Sequence, residues 1–288
     1  IYHEILPFSF EEFLLAKGIR LTSDAIYGKL RFKILKLLDE YLVFGGYPEV
    51  VLEENKIMKI RILQSYFDTM IYKDIIDRYN INNKPLLYEL IRYLYTNISR
   101  LFSVTSYYKL IKQRMKVSKN TINEYLKYLE DAMIVFTLTK YSKTKKEEIL
   151  APKKIYSVDT GLRNAIVYRK DLPAMFENLV FLHLLRIKMK YPWLEINYWR
   201  GEKGVEVDFL IKVKDKPIYA IQASYNIESE ETENREIKAL KVLNKKIKVD
   251  NLIVTKNQNY EKKDIRIISF LKFVAEAKKE IEEKAKQL

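Results

Sequence analysis

Apolar residues recur at helical spacing through the first part of this sequence and at strand spacing through much of the remainder. In residues 1–80, Ser9 is followed three positions later by Glu12, which is the pattern of a capping box at a helix start. A second helical segment covers residues 30–43, and Gly45-Gly46 ends it before Pro48 opens the next. We therefore predict a helical region over residues 1–80.

Residues 81–160 follow a different pattern, with three helices and then two strands. The helices are predicted at 85–98, at 106–113 and after the capping residue Ser118. In the third helix the apolar side chains share one side, and they are Ile122, Leu126, Leu129 and Met133. Strands at 134–141 and 154–158 enclose a lysine-rich loop. Three helices followed by a basic hairpin predict a winged helix-turn-helix domain.

Residues 161–288 alternate between helix and strand patterns. A helix at 176–190 precedes three strands at 195–200, 205–212 and 217–224. A helix at 230–244, a strand at 251–255 and a short strand running into a final helix from residue 265 complete the chain. The prediction is a multidomain α+β or α/β protein whose third domain has the order αβββαβ.

Composition limits the chemistry. The chain has no cysteine and only two histidines, His3 and His183, which excludes disulfides and thiolate sites and leaves almost no means for a histidine-based zinc site or triad. No apolar run is long enough to span a membrane, and no signal peptide is recognisable, so we expect a cytoplasmic protein without a membrane partner. The 52 basic and 38 acidic side chains give a net charge of +14, which favours nucleic acid as a partner. A lysine-rich proteome is the alternative explanation of this charge.

The third helix of the predicted winged helix presents polar side chains suited to DNA. Asn120, Asn123 and Lys127 lie opposite the apolar side, where asparagine can pair with adenine edges. The loop lysines Lys143, Lys145 and Lys146 are candidates for phosphate contacts. Glu124 and Asp131 on the exposed side argue against DNA. Docking of another protein is therefore the competing interpretation.

A second group of residues has the layout of a PD-(D/E)XK nuclease. Asp208 lies on one predicted strand, Gln222 and Ser224 share a face of the next, and Glu177 lies on the preceding helix. In an active enzyme of this type, two acids hold Mg²⁺ and a lysine stabilises the developing charge. Glu177 and Asp208 are thus the candidate ligands for Mg²⁺.

The chemistry of this second group is incomplete. Gln222 occupies the place of the second acid and Ser224 that of the lysine, so one charged ligand and the cation are both missing. Lys203 or Lys212 would have to replace the cation. We predict a degenerate nuclease site. For Asp159-Thr160-Gly161 a helix-capping turn is a better interpretation than a metal loop.

Eight short phrases give the chain a family resemblance. They are PFSFEEF at 7–13, FGGYPEV at 44–50, YKDI at 72–75, KIYSVDTGLRN at 154–164, ENLVF at 177–181, YWR at 198–200, EVDF at 206–209 and IQASY at 221–225. In these phrases the chain resembles prokaryotic AAA+ ATPases in which a P-loop module is followed by a winged helix and a PD-(D/E)XK-like domain of unknown function. The archaeal branch, in which Gln and a small hydroxyl residue also replace the Glu-x-Lys pair, is the most similar.

The resemblance implies three domains: residues 1–80 continuing from an AAA+ module, a winged helix at 81–160, and a nuclease-like domain at 161–288. The Gly-rich P-loop and the acidic Walker B strand are missing from this sequence, so ATP is expected to bind in a module outside it, joined in cis or supplied as a separate fragment. Three functions stay open: a DNA-binding region of such an ATPase, an active Mg²⁺-dependent endonuclease, and a protein-interaction scaffold of a signalling or toxin-control ATPase. Oligomerisation is also left open.

Overall fold

The computed structural model describes residues 4–287, without the side chains of residues 23, 24 and 203. His3 lies outside the described residues. The chain forms two compact units. The first unit contains the residues up to 19 together with 36–137 and 152–171, and the second contains 20–35, 138–151 and the residues from 172 onward. The chain is therefore a mixed α+β protein with two sheets, as the sequence pattern predicts.

Helices dominate the first part of the chain. Ser9 caps the first helix with both hydrogen bonds of the predicted capping box: Glu12 N donates to Ser9 Oγ over 3.2 Å, and Ser9 N donates to Glu12 Oε2 over 2.7 Å. Pro48 occupies the first turn of the fourth helix, where its missing N–H costs nothing. The helices are α1 Phe10–Ala16, α2 Ser23–Tyr27, α3 Arg31–Phe44, α4 Pro48–Leu52, α5 Lys56–Met70 and α6 Lys84–Thr96, with a π-helical segment Ile71–Asp77 after α5.

A small three-stranded sheet accompanies the next helices. The elements are β1 Leu101–Phe102, α7 Val104–Ile111, α8 Lys119–Asp131, β2 Val135–Leu138, α9 Lys145–Leu150, β3 Lys153–Ser157 and α10 Thr160–Ile166. The strand order is β1-β3-β2, with Leu101 opposite Lys154 in an antiparallel pair. The strand predicted to end at residue 141 ends at Leu138. Beyond it, Lys140 forms a β-bridge with Tyr198, and both of these residues belong to the second unit. The predicted open loop contains the short helix α9.

A hydrophobic core connects several elements of the first unit. It includes Leu63 and Phe67 of α5, Leu90 of α6, Leu129 of α8 and Ile155 of β3. Elements from both sides of residue 80 therefore pack against each other in this core.

A contact between residues 44–50 and residues 154–164, two of the segments that carry the family resemblance, stabilises this unit. Asp159 is buried and caps α10, because Leu162 N donates to Asp159 Oδ1 over 2.8 Å. Gly46 N donates to Asp159 Oδ2 over 2.7 Å. Gly45 has a φ of 75°, and a Cβ placed on it would lie 1.9 Å from Asp159 Oδ1. The Asp159-Thr160-Gly161 segment is thus a capping turn packed against Gly45-Gly46.

The second unit contains a six-stranded sheet of order β4-β5-β6-β7-β9-β8. The elements are α11 Leu172–Lys190, β4 Leu194–Arg200, β5 Glu206–Val213, β6 Lys216–Ser224, α12 Glu230–Asn244, β7 Asp250–Thr255, β8 Tyr260–Lys262, β9 Ile265–Ser269, α13 Phe270–Lys272, a π-helical segment Phe273–Ala277 and α14 Lys278–Gln287. The pairs β4-β5 and β5-β6 are antiparallel, and β6-β7 and β7-β9 are parallel.

Helices cover this sheet on both faces. Phe209 of β5 stacks on Phe181 of α11 with ring centroids 6.4 Å apart, whereas the next residue, Leu210, packs with Leu240 of α12. Because neighbouring strand residues point to opposite faces, α11 and α12 lie on different sides of the sheet. Asp208 has the same parity as Leu210 and so faces α12. None of the helices within residues 4–287 has the length and apolar character that a bilayer crossing requires.

Candidate nucleic-acid interface and nuclease-like corner

The exposed side of α8 carries the predicted DNA-binding residues. Asn120, Asn123 and Lys127 are exposed, whereas Ile122 and Leu129 are buried, as the spacing indicated. Ser118 caps the helix, because Thr121 N donates to Ser118 Oγ over 3.1 Å. The sequence pattern therefore predicted correctly which side of this helix meets solvent.

The end of α7, the turn and the start of α8 add cations that the sequence analysis missed. These residues are exposed, and no acidic residue interrupts the run from the first to the last; they are Lys109, Lys112, Arg114, Lys116 and Lys119. The signal that would have found them is the two- or three-residue spacing of the basic side chains. Together with Asn120, Asn123 and Lys127 we call them the α7–α8 basic surface.

The cations of the α7–α8 basic surface keep their charge available. None of the six forms an ion pair within the part of the chain that the structure describes. The ammonium groups of Lys112 and Lys119 lie 5.5 and 5.7 Å from the centre of the Tyr108 ring, so one aromatic ring positions two of them. Glu124 is exposed on the same helix and opposes this charge locally.

The connection between β2 and β3 is less basic than its sequence indicates. Lys143, Lys145 and Lys146 are exposed, as predicted. However, Lys145 Nζ lies 3.0 Å from Glu148 Oε2, and hydrogen bonds from Lys140 and Ser142 lower the pKa of Glu147. Two carboxylates of α9 thus offset the lysines of this segment.

At the predicted nuclease site, side chains form hydrogen bonds with the backbone near the start of β5 and the end of β6. Phe209 pairs with Ile221, which places Asp208 opposite Gln222. Asp208 N donates to Gln222 Oε1 over 2.8 Å, and Ala223 N donates to Asp208 Oδ2 over 3.0 Å. These side chains replace backbone partners at the point where the two strands separate. We call this group, with Glu236 of α12, the β5–β6 corner.

Gln222 is a structural residue in this corner. Its side chain is buried, and Nε2 donates to the backbone oxygen of Glu206 over 3.1 Å and to Glu236 Oε2 over 2.7 Å. With the bond from Asp208 N, both amide donors and the acceptor are used. Ser224 Oγ donates to Asn226 O over 3.3 Å. Glu177 is half-buried on α11.

Two functional candidates on α12 escaped the sequence analysis. Arg235 Nη2 lies 2.7 Å from Glu236 Oε1, and this contact, followed by a smaller effect of Asp208, raises the pKa of Arg235. Glu236 therefore joins the buried amide of Gln222 to an exposed guanidinium. No local sequence signal reports this, because Gln222 and Glu236 lie on different elements.

The residues at this corner fit a Mg²⁺ site poorly. Among residues 4–287 there is no group of three or more acidic or histidine side chains placed to hold a metal ion. Asp208 Oδ2 and the Gln222 carbonyl each accept a backbone hydrogen bond. Lys203 has no described side chain. Lys212 lies four residues along β5, about 13 Å away, and pairs there with Glu195 at 2.8 Å.

The remaining motifs are structural. His183 is buried, its Nδ1 lies 3.0 Å from Leu179 O, and burial lowers its pKa, so the ring is neutral. Tyr198 and Trp199 are buried. Trp193 is partly exposed, and its Nε1 donates to Ala285 O over 2.7 Å. None of these residues joins the corner or the α7–α8 basic surface.

The chain consists of a mainly helical unit with a small sheet and an α/β unit with a six-stranded sheet. Residues 35–172 match a family described as a domain of unknown function, DUF8612, and residues 173–273 match another, DUF4143. The two matches meet next to the boundary at residue 171/172 between the compact units. Two independent divisions of the chain therefore agree there.

Curated relatives extend beyond this chain. It is 32% identical over 265 residues to an uncharacterized protein of Methanocaldococcus jannaschii, MJ1544, covering 90% of this chain and 58% of the relative. It is 29% identical over 236 residues to an uncharacterized protein of Haemophilus influenzae, covering 80% and 55%. The chain thus spans a little more than half the length of both relatives.

Among solved structures, a Thermococcus gammatolerans assembly of McrB AAA+ hexamers with bound McrC shows a weak likeness. The TM-score is 0.26 and the identity 12%, over 69% of this chain and 51% of that chain. A likeness at this level carries no argument about fold or function.

Proposed function

We propose that this chain is the DNA-binding region of a larger cytoplasmic AAA+ ATPase, with α8 as its recognition helix. Apart from the short helix α9 between β2 and β3, the order α6-β1-α7-α8-β2-β3 matches that of a winged helix-turn-helix, in which the last of the three helices enters the major groove. The observation that carries the proposal is the α7–α8 basic surface, where six exposed cations without ion pairs among the described residues accompany two exposed asparagines.

Each part of this surface has a distinct role in the proposal. The lysines and Arg114 contact phosphates, and Asn120 and Asn123 meet base edges, where asparagine pairs with adenine through two hydrogen bonds. Lys143, Lys145 and Lys146 add weaker phosphate contacts, because Glu147 and Glu148 reduce the local charge. The ATPase part of the proposal rests on the family resemblance and on the greater length of the relatives.

The second unit is proposed to be PD-(D/E)XK-like in its αβββαβ core but without hydrolytic activity. The support for this part is the β5–β6 corner, where the second acid and the lysine are absent and Gln222 is committed to structural hydrogen bonds. Asp208 and Glu177 are then remnants of a metal site.

Fluorescence anisotropy with a short DNA duplex tests the DNA-binding proposal. Phosphate contacts release counterions, so six of them predict a slope of log K against log salt of about −5. We expect affinity to fall about a thousandfold between about 50 mM and about 200 mM salt. The double variant Lys112→Ala/Lys119→Ala should reduce the slope by about two.

The matched control is Lys241→Ala, an exposed lysine of α12 outside the α7–α8 basic surface. It should leave both affinity and slope unchanged. Failure of the wild-type protein to bind duplex at the lower salt concentration would rule out the proposal, since phosphate contacts are strongest there.

A further inference from the structure

A groove of about 600 Å³ borders the α7–α8 basic surface. It lies within the first unit, between the segment after the π-helix and the first turns of α8. Lys116 belongs to both the groove and the basic surface, so the two features are adjacent. Its volume is in the range of pockets that hold small organic groups.

The lining of the groove combines aromatic rings with hydrogen-bonding groups. Tyr79 and Tyr128 stack with centroids 3.8 Å apart and an interplanar angle of 12°, and Tyr79 is fixed further because its hydroxyl donates to Asp131 Oδ2 over 3.4 Å. The amides of Asn80 and Asn82 are exposed at the rim. Glu124, the acid that opposes DNA binding on the exposed side of α8, also lines the groove.

These groups match an unstacked nucleobase. Tyr79 and Tyr128 already stack on each other and Arg78 lies 5.4 Å from the Tyr79 ring centre, so this pair forms an aromatic wall against which a base can pack. The asparagine amides offer paired donors and acceptors, and a carboxylate accepts from the amino groups of adenine, cytosine or guanine. A base in the groove would explain the presence of Glu124 beside the basic surface, because its carboxylate would face the base rather than a phosphate. An apolar peptide fits less well, since Ile81 and Leu86 are buried in the core beneath the polar rim.

We infer that this groove binds a single extrahelical base of DNA whose flanking duplex lies on the α7–α8 basic surface. The inference rests on the proposed DNA-binding function and narrows its substrate to DNA with an unpaired or displaced base. Removing one base from the stack costs little when the base is already unpaired, so the groove selects such sites.

The test compares two duplexes that differ by one extrahelical 2-aminopurine, a base whose fluorescence falls when it stacks on an aromatic ring. Anisotropy should show about fivefold to tenfold tighter binding of the duplex with the extra base. The 2-aminopurine signal should fall on binding. Asn82→Ala and Tyr79→Ala should each reduce the preference, while the affinity for the plain duplex changes by less than about twofold.

Tyr72→Ala is the matched control, because Tyr72 is an exposed tyrosine of the π-helical segment that does not line the groove. It should retain the preference. Equal affinity for the two duplexes in the wild-type protein, or a preference that survives both groove variants, overturns the inference and leaves the groove to a ligand such as a peptide. Absence of binding to either duplex contradicts the proposed function itself, so the two failures are distinguishable.

Discussion

Two glycines of the first unit adopt the left-handed backbone conformation in very different surroundings. Gly18 has a φ of 74° and nothing within 4 Å of an added Cβ. Gly45 has a φ of 75°, and an added Cβ would meet Asp159 Oδ1 at 1.9 Å. Comparing alanine substitutions at these two glycines therefore distinguishes the free-energy cost of the left-handed backbone from the cost of displacing the buried Asp159.

Gly18→Ala should lower the free energy of unfolding by about 1 kcal/mol, the cost of a left-handed alanine. Gly45→Ala should lower it by about 3 kcal/mol or more, because Asp159 must leave Gly46 N and Leu162 N, which then lose a buried partner. Urea denaturation of the two variants measures the difference. Equal losses would show that the Gly45–Asp159 contact is not a stabilising feature.

Gln222 is the residue at which sequence and structure give different information. The sequence predicts an amide in place of a catalytic acid, and the structure adds that this amide donates to the Glu236 carboxylate at 2.7 Å. A second carboxylate at position 222 would face Glu236 directly. Gln222 therefore has a structural role in its contact with α12, independent of the proposed nuclease-like layout.

Gln222→Glu should lower the free energy of unfolding by about 2–4 kcal/mol at neutral pH, because two buried carboxylates then repel and Glu206 O loses its donor. The loss should shrink at acid pH, where one carboxyl is protonated and can donate. Adding Glu236→Gln should recover at least half of the loss by reversing donor and acceptor, which a double-mutant cycle reports. Gln113→Glu, on an exposed site after α7, is the control and should change stability little.

At the scale of elements, local patterns predict what local contacts determine. The capping box, the exposed side of α8 and the mixed α+β class followed from spacing and were confirmed. The shortening of β2 could not be predicted from local spacing, because the chain beyond Leu138 pairs with Tyr198, which is distant in sequence. The helix α9 was missed although Thr144 caps it, because its four charged residues read as a solvated loop.

The strand β8 was also missed, since three mostly exposed residues give no apolar alternation. Its attachment to α12 explains why it is ordered: Tyr260 Oη donates to Glu233 Oε1 over 2.9 Å, and Lys262 pairs with the other oxygen. Burial, with Glu233, raises the pKa of Tyr260 to about 12. One carboxylate thus holds the edge of the sheet.

This attachment predicts a pH-dependent contribution to stability. The hydrogen bond from Lys262 lowers the pKa of Glu233, so its stabilisation is present above the ordinary glutamate pKa of about 4.3 and is lost as the pH falls through the lowered value. Glu233→Gln should cost about 1 kcal/mol at neutral pH. The difference from wild type should begin to shrink as the pH falls below about 4.3 and should vanish below the lowered pKa of Glu233. Glu231→Gln, an exposed change in the same helical turn, should show no such dependence.

For the whole molecule, the positive charge lies partly where the sequence analysis placed it. Asn120, Asn123 and Lys127 were predicted on the exposed side of α8. The cations of the α7–α8 turn were not predicted, because the phosphate contacts were assigned to the lysines between β2 and β3. Folding changes that ranking: between β2 and β3, Lys140 and Lys145 pair with carboxylates of α9, whereas the six cations of the α7–α8 basic surface form no ion pair among the described residues. The proposed roles of the two units can be tested separately, as DNA binding by the first unit and DNA hydrolysis by the second.

Hydrolysis is the activity that the second unit is not expected to show. Cleavage by this type of site needs a second metal-binding acid and a cation at the reacting phosphate, and losing such groups costs several orders of magnitude in rate. Gln222 and Ser224 are engaged with the backbone, and Lys212 is paired with Glu195. Supercoiled plasmid incubated with Mg²⁺ or Mn²⁺ should therefore be nicked no faster by the wild-type protein than by Asp208→Ala. If the wild type cuts and Asp208→Ala does not, the corner is catalytic despite its hydrogen bonding, and Arg235, the exposed cation joined to it through Glu236, becomes the first residue to replace.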